Sequence, residues 1–474
     1  MSLHQSLSAM WLLSGIAVVY ALGLAVYRLY FHPLRKFPGP KHFAISGLPL
    51  AIENQLRGRF TKKILEYHEK YGDIVRTGPN HLSMNGTIGW PEVFGHSRGG
   101  RAEFSHWDDF YQIGDKSNQS IFPTDRESHR RQRRLLAHAF SDAAIKEQEA
   151  LIRQYVDKLF VQLRKQATLQ EPTDMLKWYN FTTFDIIGDL AFGEPFHCLE
   201  DSDYHPFIAM IFVGIRKRRE QKEMSREKTE RRIALGPAPD GRKDFLTYIL
   251  RHNDEKGMSH EEILANSDAL IIAGSETTAT ALSGLTYWIT TNPQALKTLQ
   301  DEVRAAFSTE EEITMVSTGH LKYLNACIEE ALRLYPPVVE TPPRISPGEY
   351  VNGHYIPKGT FITIHQWAVH HNPNNFSLPD TFKPERWLSP DHPLYDPQFS
   401  ADKKAAFQPF SFGPRNCIGK NLAYAELRLI AARFFWNFDI ALHPDSSGWP
   451  DKQRVFTLWE KIPLMVQLKQ AVRS

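Results

Sequence analysis

One cysteine-containing turn near the C-terminus constrains this chain more than any other feature. Residues 410–419 read FSFGPRNCIG, and an apolar helical pattern follows over residues 421–438. In a Gly-Pro turn that opens onto a helix, backbone N–H groups and the helix dipole favour a thiolate at Cys417. Gly413 and Gly419 allow the backbone to approach a flat group where a Cβ would collide. We therefore expect a chemical role for Cys417, although a single cysteine is more often a small buried hydrophobic residue.

The residues around Cys417 indicate a haem site. Arg415 stands two residues before it, so a guanidinium can pair with a propionate while the iron takes the sulfur. Phe410 can pack against the ring face. Position by position, these ten residues resemble the haem-binding signature of the cytochrome P450 family. The resemblance implies that Cys417 is the axial ligand of a haem b iron (iron protoporphyrin IX). It also implies the cytochrome P450 fold, mainly α with a small β region.

Composition excludes several other classes of protein. The three cysteines, Cys198, Cys327 and Cys417, form no CxxC pair, which excludes zinc ribbons, iron–sulfur clusters and a disulfide scaffold. So few cysteines are typical of a protein in a reducing compartment. With 56 Lys and Arg against 54 Asp and Glu, the net charge of +2 gives no reason to expect nucleic acid as a partner. A 42% hydrophobic fraction is typical of a packed globular protein.

The N-terminus predicts a membrane anchor. Residues 5–27 carry no charged side chain, and about 20 apolar residues span a bilayer as a helix. A buried core helix and a cleavable signal peptide are the alternatives, but a signal peptide needs a basic start. Basic residues follow the run, which leaves the rest of the chain in the cytosol. We expect an anchor over residues 1–30 that meets the membrane through residues 9–29, a proline-rich hinge over 31–40 and one haem-thiolate monooxygenase domain over 41–474.

A second segment lies in a long predicted helix. Residues 271–278 read IIAGSETT. Ser259 and Glu262 have the spacing of a capping box, which begins the helix, and Pro293 ends it. About 30 residues at a 1.5 Å rise give roughly 45 Å, enough to cross a domain. A structural helix that merely tolerates Gly and Thr is the alternative interpretation.

The composition of this helix also suits oxygen chemistry. Gly274 costs about 1 kcal/mol relative to alanine, and threonine hydroxyls can bond back to carbonyls and distort the helix. The segment resembles the P450 pattern Ala/Gly-Gly-x-acid-Thr, with Glu in place of the commoner Asp. The resemblance implies that Ala273 and Gly274 lie against the haem, and that Glu276 and Thr277 pass protons inward to bound oxygen.

A third pattern predicts a structural ion-pair network. Glu330 and Arg333 are three residues apart, on one helix face, where an exposed pair is worth only about 0.3 kcal/mol. Residues 384–387 read PERW, and the family resemblance joins Arg386 to this pair in a buried network. That network is expected to fix residues 388–409, which lead into the cysteine turn. Loss of one member would leave a buried charge unpaired.

A basic helix supplies further candidate contacts for the haem propionates. Residues 125–134 read DRESHRRQRR, a pattern that is equally typical of a solvated helix surface. His129 and Arg133 resemble the family's pair, four residues apart, that reaches the haem propionates, although many members carry Trp in place of His129. Arg344, which follows two prolines, resembles the other propionate-binding arginine.

The resemblance implies a monooxygenase of the microsomal, fungal secondary-metabolism type, similar to isotrichodermin-hydroxylase-like members. One atom of O2 would enter an apolar terpenoid or polyketide intermediate, and the other would leave as water. No Gly-x-Gly-x-x-Gly follows a strand, so electrons would come from a separate NADPH-cytochrome P450 reductase, with cytochrome b5 as a further candidate donor. The candidates for docking this partner are Arg130, Arg131, Arg134 and Lys420. The expected location is the endoplasmic reticulum membrane, with the catalytic domain in the cytosol.

The resemblance also implies, by position in the family, a set of apolar side chains that would contact the substrate. The alternative interpretation is that these side chains only pack in the core. These are Phe104, Trp107, Phe110, Tyr111, Ala273, Val338, Val339 and Leu458.

Two alternative functions stay open. One is a haem-thiolate isomerase or dehydratase that needs no reductase, against which the presence of Glu276 and Thr277 argues. The other is a catalytically impaired, membrane-anchored binding protein. This second alternative is considered because the segment 203–245 looks roughly 25 to 30 residues shorter than the corresponding segment of the family, which forms two helices and a loop over the pocket. That shortening predicts a distal pocket more open to water.

Overall fold

The computed structural model of the protein describes residues 3–97, 99–107, 110, 119–205, 218–236 and 241–472. Helices dominate and the strands are short, so the predicted mainly α fold with a small β region is confirmed. The helices are α1 (Leu3–Val26), α2 (Lys41–Ile45), α3 (Leu48–Ala51), α4 (Phe60–Tyr71), α5 (Gly86–Gly89), α6 (Arg126–Ala139), α7 (Asp142–Leu169), α8 (Met175–Phe192), α9 (Cys198–Asp201), α10 (Arg218–Ala234), α11 (Phe245–His252), α12 (His260–Thr290), α13 (Pro293–Ala306), α14 (Lys322–Leu334), α15 (Gln366–His370) and α16 (Lys420–Asn437).

The long helix α12 begins and ends where the sequence predicts. Ser259 Oγ accepts the Glu262 N–H at 3.2 Å, and the Glu262 carboxylate accepts the Ser259 N–H at 2.8 Å, which completes the capping box. The helix ends at Thr290, just before Pro293. Its 31 residues correspond to roughly 46 Å, so α12 crosses the whole body.

Helices α8 and α12 form the centre of the core. Almost every residue of α8 is buried, and Tyr179 on α8 shares a 2.8 Å hydrogen bond with Thr286 on α12. A Cβ at Gly274 would lie 2.7 Å from Ile187 Cδ1. Gly274 is therefore required by the close packing of α12 on α8, which offsets its unfavourable helix propensity.

The strands of the described residues are short. They are β1 (Ile74–Gly78), β2 (His81–Met84), β3 (Ser105–His106), β4 (Thr173–Asp174), β5 (Arg344–Ile345), β6 (Glu349–Val351), β7 (His354–Ile356), β8 (Phe361–Thr363), β9 (Phe438–Leu442), β10 (Arg454–Phe456), β11 (Leu458–Glu460) and β12 (Met465–Gln470). A five-stranded sheet has the order β1-β2-β8-β5-β3, and the pairing of β3 with β5 places His106 opposite Arg344. The other sheets are β10-β11, β4-β12-β9 and β6-β7.

The N-terminal helix is joined to the body by hydrogen bonds. The span Ser6–Phe31 has a mean hydropathy of 2.1 and is long and apolar enough to cross a membrane. Arg76 on β1 donates to the carbonyl of Arg28 at 2.9 Å, and Arg28 donates to the carbonyl of Ile45 at 2.6 Å. Leu34, within residues 31–40, is fully buried against the body. These contacts connect the segment after α1 to the body, while the hinge expected over residues 31–40 stays a prediction.

Helix α10 follows the segment that looks short in sequence. Its buried stripe is polar: Gln221 donates to Asp268 on α12 at 3.1 Å, and Arg232 forms a buried ion pair with Asp244 at 2.7 Å. Residues 206–217 lie outside the described part of the chain, so the expected opening of the distal pocket stays a prediction.

Candidate active site

A cavity of about 340 Å³ lies between α12 and the cysteine turn. Its walls are mainly apolar, and its cationic groups come from three separate segments of the chain. Among the residues that line it are Leu270, Ala273, Thr277, Val338, Phe410 and Leu422, together with the basic side chains Arg133, Arg344 and Arg415. An apolar slot with guanidinium groups suits a flat, apolar ligand that carries carboxylates.

The cysteine turn is held by its own backbone. The Cys417 N–H donates to the carbonyl of Phe410 at 2.9 Å, and a single 3-10 turn spans Gly413–Arg415. Gly413 has φ +77°, and a Cβ there would lie 2.1 Å from the carbonyl oxygen of Phe94. Only glycine combines this positive φ with the absence of a Cβ that would collide with Phe94. The turn therefore presents Cys417 to the cavity, whereas Cys198 and Cys327 are buried elsewhere.

Cys417 is exposed to the cavity, and the groups around it act on its thiol in both directions. Enclosure by the protein raises the pKa of the Cys417 thiol, while the Gly419 N–H and the charges of Arg133 and Lys420 act in the opposite direction. Burial also raises the pKa of the Cys198 thiol, to about 12.

The basic groups converge on one side of the cavity. Arg133 donates to the backbone and side-chain oxygens of Asn416 at 2.7 and 2.6 Å, and Arg415 donates to the carbonyl of Thr124 at 2.8 Å. The Arg344 guanidinium lies 4.9 Å from the centre of the Phe94 ring.

The pKa of His129 reflects the positive charge of this region. Burial, followed by the positive charges of Arg415, Arg133 and Arg344, lowers the His129 pKa to about 3. Three guanidinium groups within electrostatic range of one imidazole make a site that favours an anion.

The cavity fits a haem by these criteria. Gly419 and Cys417 both line it, and a Cβ at Gly419 would lie 3.9 Å from Cys417 Sγ, in ordinary van der Waals contact. The apolar walls match a macrocycle, and the guanidinium groups match its carboxylates. Nine of the ten predicted haem-contacting residues thus line one cavity, with Ala273 and Gly274 on the α12 wall and Cys417 on the turn. Gly413 does not line it and instead lets the turn pack against Phe94.

The α12 wall shows the predicted back-bonding without a break in the helix. Thr277 Oγ1 donates to the carbonyl of Ala273, and Thr280 Oγ1 donates to the carbonyl of Glu276, both at 2.7 Å. Thr277 and Thr278 line the cavity, but Glu276 does not. Its carboxylate instead forms an ion pair with Lys461, a residue that the sequence analysis missed and that no local pattern marks.

A buried carboxyl group, Glu426 on α16, also lines the cavity. Burial raises its pKa to about 8, while a hydrogen bond with Thr278 acts in the opposite direction. The sequence contained a signal for it, since Glu426 lies four residues after the buried Leu422 and therefore shares its apolar helix face.

The predicted network of Glu330, Arg333 and Arg386 is assembled. All three side chains are fully buried. The Arg386 Nε lies 3.3 Å from Glu330 Oε2, and Arg386 also pairs with Asp402, within residues 388–409. Trp387 Nε1 adds a hydrogen bond to Glu330 at 2.8 Å.

The candidate substrate contacts divide into two groups. Ala273 and Val338 line the cavity. The other described candidates, which do not line it, are Phe104, Trp107, Phe110, Val339 and Leu458. Tyr111 lies outside the described residues.

Comparison with known proteins places the chain in a family. The family model described as "Cytochrome P450" matches residues 37–215 and 213–467. The boundary between these two matches falls within the segment that looks short in sequence.

Fungal proteins match nearly the full length of the chain. The cytochrome P450 monooxygenase lcsI of Purpureocillium lilacinum is 39% identical, over 97% of this chain and 94% of its own. The trichothecene C-15 hydroxylase of Fusarium sporotrichioides is 40% identical over 96% of both chains, and the trichothecene C-4 hydroxylase of Trichoderma arundinaceum is 38% identical over 95% of both. The alignment with lcsI spans 495 positions, more than the 474 residues of this chain, so that relative contains segments absent here. The chain belongs to the cytochrome P450 family and is a P450 monooxygenase.

Proposed function

We propose that this monooxygenase hydroxylates an apolar terpenoid or polyketide intermediate of secondary metabolism. The apolar lining of the cavity carries the proposal, because it suits a ligand with few polar groups. The names of two relatives, trichothecene C-15 and C-4 hydroxylase, support a hydroxylation.

Haem b is the proposed cofactor, and it supplies the binding and reductive activation of O2 when bound. Cys417 would hold its iron through the sulfur. Phe410 and Gly419 line the cavity around the sulfur, and Gly413 allows the turn to pack against Phe94. The groups for its two propionates are the neutral His129 imidazole and the guanidinium groups of Arg133, Arg344 and Arg415, whose positive charges act together on His129. Ala273 and Gly274 flank the opposite face.

Thr277 and Glu276 are proposed to deliver protons. The Thr277 hydroxyl donates to the carbonyl of Ala273 and keeps its lone pairs free to accept a proton-donating water on the cavity side. Glu276, the adjacent residue, is the nearest acid in sequence and would recharge that water.

A separate NADPH-cytochrome P450 reductase is the proposed electron donor, with cytochrome b5 as a second candidate. Arg130, Arg134 and Lys420 are exposed and suited to docking an acidic partner. Arg131 is withdrawn from this set because it forms a bidentate pair with Glu262, at 2.8 and 2.6 Å.

The proposed location is the endoplasmic reticulum membrane, with α1 as a single span and the catalytic body in the cytosol. The length and apolar character of Ser6–Phe31 support the span, and Arg28, Arg35 and Lys36 at its end support the orientation.

Expression in yeast microsomes, with and without added reductase, tests the function. The reduced protein should give the CO difference spectrum of a haem thiolate. A panel of sesquiterpenes and aromatic polyketides should then yield products one oxygen atom heavier, only with NADPH, O2 and reductase. Product of unchanged mass formed without reductase would instead identify an isomerase, and a normal CO spectrum with no turnover across the panel would contradict the proposed substrate class.

A further inference from the structure

Glu340 is a buried carboxyl group behind the cavity wall. Its neighbours Val338 and Thr341 line the cavity, whereas Glu340 does not. The Glu340 side chain is only 9% exposed. Burial of a carboxyl group is costly unless hydrogen bonds compensate for the lost water. The contacts of Glu340 therefore indicate a role that an apolar side chain at this position could not fulfil.

The first contact of Glu340 reaches the hairpin formed by β10 and β11. Thr457, at the tip of this hairpin, donates its hydroxyl to Glu340 Oε1 at 3.0 Å. Thr457 has φ +77°, a left-handed conformation that is unfavourable for a β-branched residue and needs support from its surroundings. The Val339 N–H donates to the carbonyl of Thr457 at 3.1 Å, and Val338 pairs with Leu458. The Glu340 carboxyl group thus adds a side-chain bond to the backbone bonds between the hairpin tip and the cavity wall.

Two further contacts of Glu340 come from other parts of the chain. Asn54, in the helical turn Ile52–Leu56, donates to Glu340 Oε1 at 3.4 Å. His365 Nδ1 lies 3.4 Å from Glu340 Oε2, and neither nitrogen of this buried ring has a hydrogen-bond partner among the described residues. Burial raises the pKa of Glu340 and lowers the pKa of His365, and both shifts favour the uncharged forms. A neutral carboxylic acid can donate its proton to an imidazole nitrogen, so the two groups are complementary.

The two ends of the wall segment are held in different ways. The Thr341 N–H donates to the carbonyl of Ile364 at 2.8 Å, and Thr341 Oγ1 accepts the Ile364 N–H at 3.0 Å. Thr341 is therefore fixed without Glu340, whereas Val338 is positioned by the hairpin tip that Glu340 contacts. Because protein interiors are close-packed, a small displacement of Val338 changes the shape of the cavity. A single methylene group alters the selectivity of an apolar pocket roughly tenfold or more.

We propose that Glu340 is a positioning residue for substrate selectivity, whose carboxyl group holds the hairpin tip against residues 338–341 and so sets how bulky an apolar ligand the cavity accepts. This inference rests on the proposed function, since it takes the substrate to contact Val338. Glu340 acts from behind the wall and takes part in no chemical step.

Two haem-binding probes of different size test the proposal in the full-length protein in microsomes. 4-Phenylimidazole and clotrimazole both bind haem iron through an imidazole nitrogen, and clotrimazole is much the bulkier. The ratio of their dissociation constants, from titrations of the Soret band, measures shape selectivity. Glu340→Leu and Thr457→Val should each change this ratio several-fold with normal haem content. Glu340→Gln, whose amide oxygen still accepts from Thr457, should keep the wild-type ratio. Glu69→Leu, at an exposed position on α4, is the matched control and should also keep it.

Hydrogen exchange read by mass spectrometry tests the contact itself, independently of any ligand. Peptides that cover residues 336–341 and 454–460 should exchange faster in Glu340→Leu and in Thr457→Val. The double variant should exchange no faster than the faster single variant, because both substitutions remove the same bond. Faster exchange with a wild-type ratio of dissociation constants would overturn the inference and leave a structural contact. Unchanged exchange in both single variants would also overturn it. A wild type that binds neither probe would instead contradict the proposed haem pocket.

Discussion

The carboxylate of Glu330 accepts two hydrogen bonds from Arg333, at 2.9 and 2.8 Å, and neither side chain is exposed to solvent. The same guanidinium donates to the carbonyls of His370, Pro379 and Thr381. A lysine has too few donors, arranged differently, to replace these contacts. The pair therefore holds α14 to the chain that leads toward the cysteine turn.

Arg333→Lys should destabilise the folded protein by about 3 kcal/mol or more, because it leaves buried carbonyls and part of a carboxylate unpaired. The measurement is thermal unfolding monitored by loss of the CO spectrum. Arg454→Lys, which alters an exposed ion pair with Glu460, is the control and should leave the unfolding midpoint nearly unchanged, because solvent screens exposed pairs. Equal effects of the two substitutions would contradict a structural role for the buried pair.

Cys417→Ala should abolish the thiolate-type CO spectrum, because no other cysteine of the described chain lines the cavity. Cys198→Ala and Cys327→Ala, which remove buried thiols, should keep it. A normal spectrum from Cys417→Ala would refute the assignment of the axial ligand.

Thr277→Ala should retain haem but divert reducing equivalents to peroxide, because it removes the hydroxyl on the cavity side of α12. Peroxide formed per NADPH is the measurement. Thr290→Ala is a close control, since Thr290 makes the same back-bond, to the carbonyl of Thr286 at 2.7 Å, at the far end of the helix. Unchanged coupling in Thr277→Ala would exclude its role in proton delivery.

Arg133→Gln should lower the haem content of the purified protein, and added haem should restore part of it. The substitution removes a charge from the cationic side of the cavity and weakens the bonds to Asn416 in the cysteine turn. Arg126→Gln, at an exposed position on the same helix, should leave the haem-to-protein ratio unchanged. Full haem content in Arg133→Gln would argue against a propionate contact.

His370 should make stability depend on pH. Burial, with the nearby charge of Arg333, lowers its pKa to about 3, against about 6.5 in an unfolded chain. Between pH 3 and pH 6.5 the His370 imidazole is protonated in the unfolded chain but neutral in the folded protein. The free energy of unfolding therefore decreases as the pH falls from about 6.5 toward 3, by up to about 1.4 kcal/mol per pH unit.

His370→Asn isolates this contribution, because its amide can replace the hydrogen bond to the carbonyl of Arg333 and does not titrate. The stability advantage of the wild type over His370→Asn should therefore shrink between pH 7 and pH 5. A constant difference over that range would show that His370 binds protons equally in the folded and unfolded states, and would contradict the lowered pKa.

Local patterns predicted the parts of the site that lie within one stretch of chain. The cysteine turn and the capping box of α12 are such cases, because adjacent residues determine their geometry. Lys461 and Glu276 are 185 residues apart, so only the packing of the C-terminal hairpin on α12 brings them together.

The hydrogen bonds of Arg76 and Arg28 have a consequence for the protein in its membrane. The 24 residues of α1 measure about 36 Å, longer than the roughly 30 Å hydrocarbon layer, and a longer helix tilts to fit. With α1 in the proposed membrane, these hydrogen bonds would couple its tilt to the orientation of the body. Bilayer thickness would then set how deeply the catalytic body sits in the headgroups, and apolar substrates would meet its surface at a different height in thin and thick membranes.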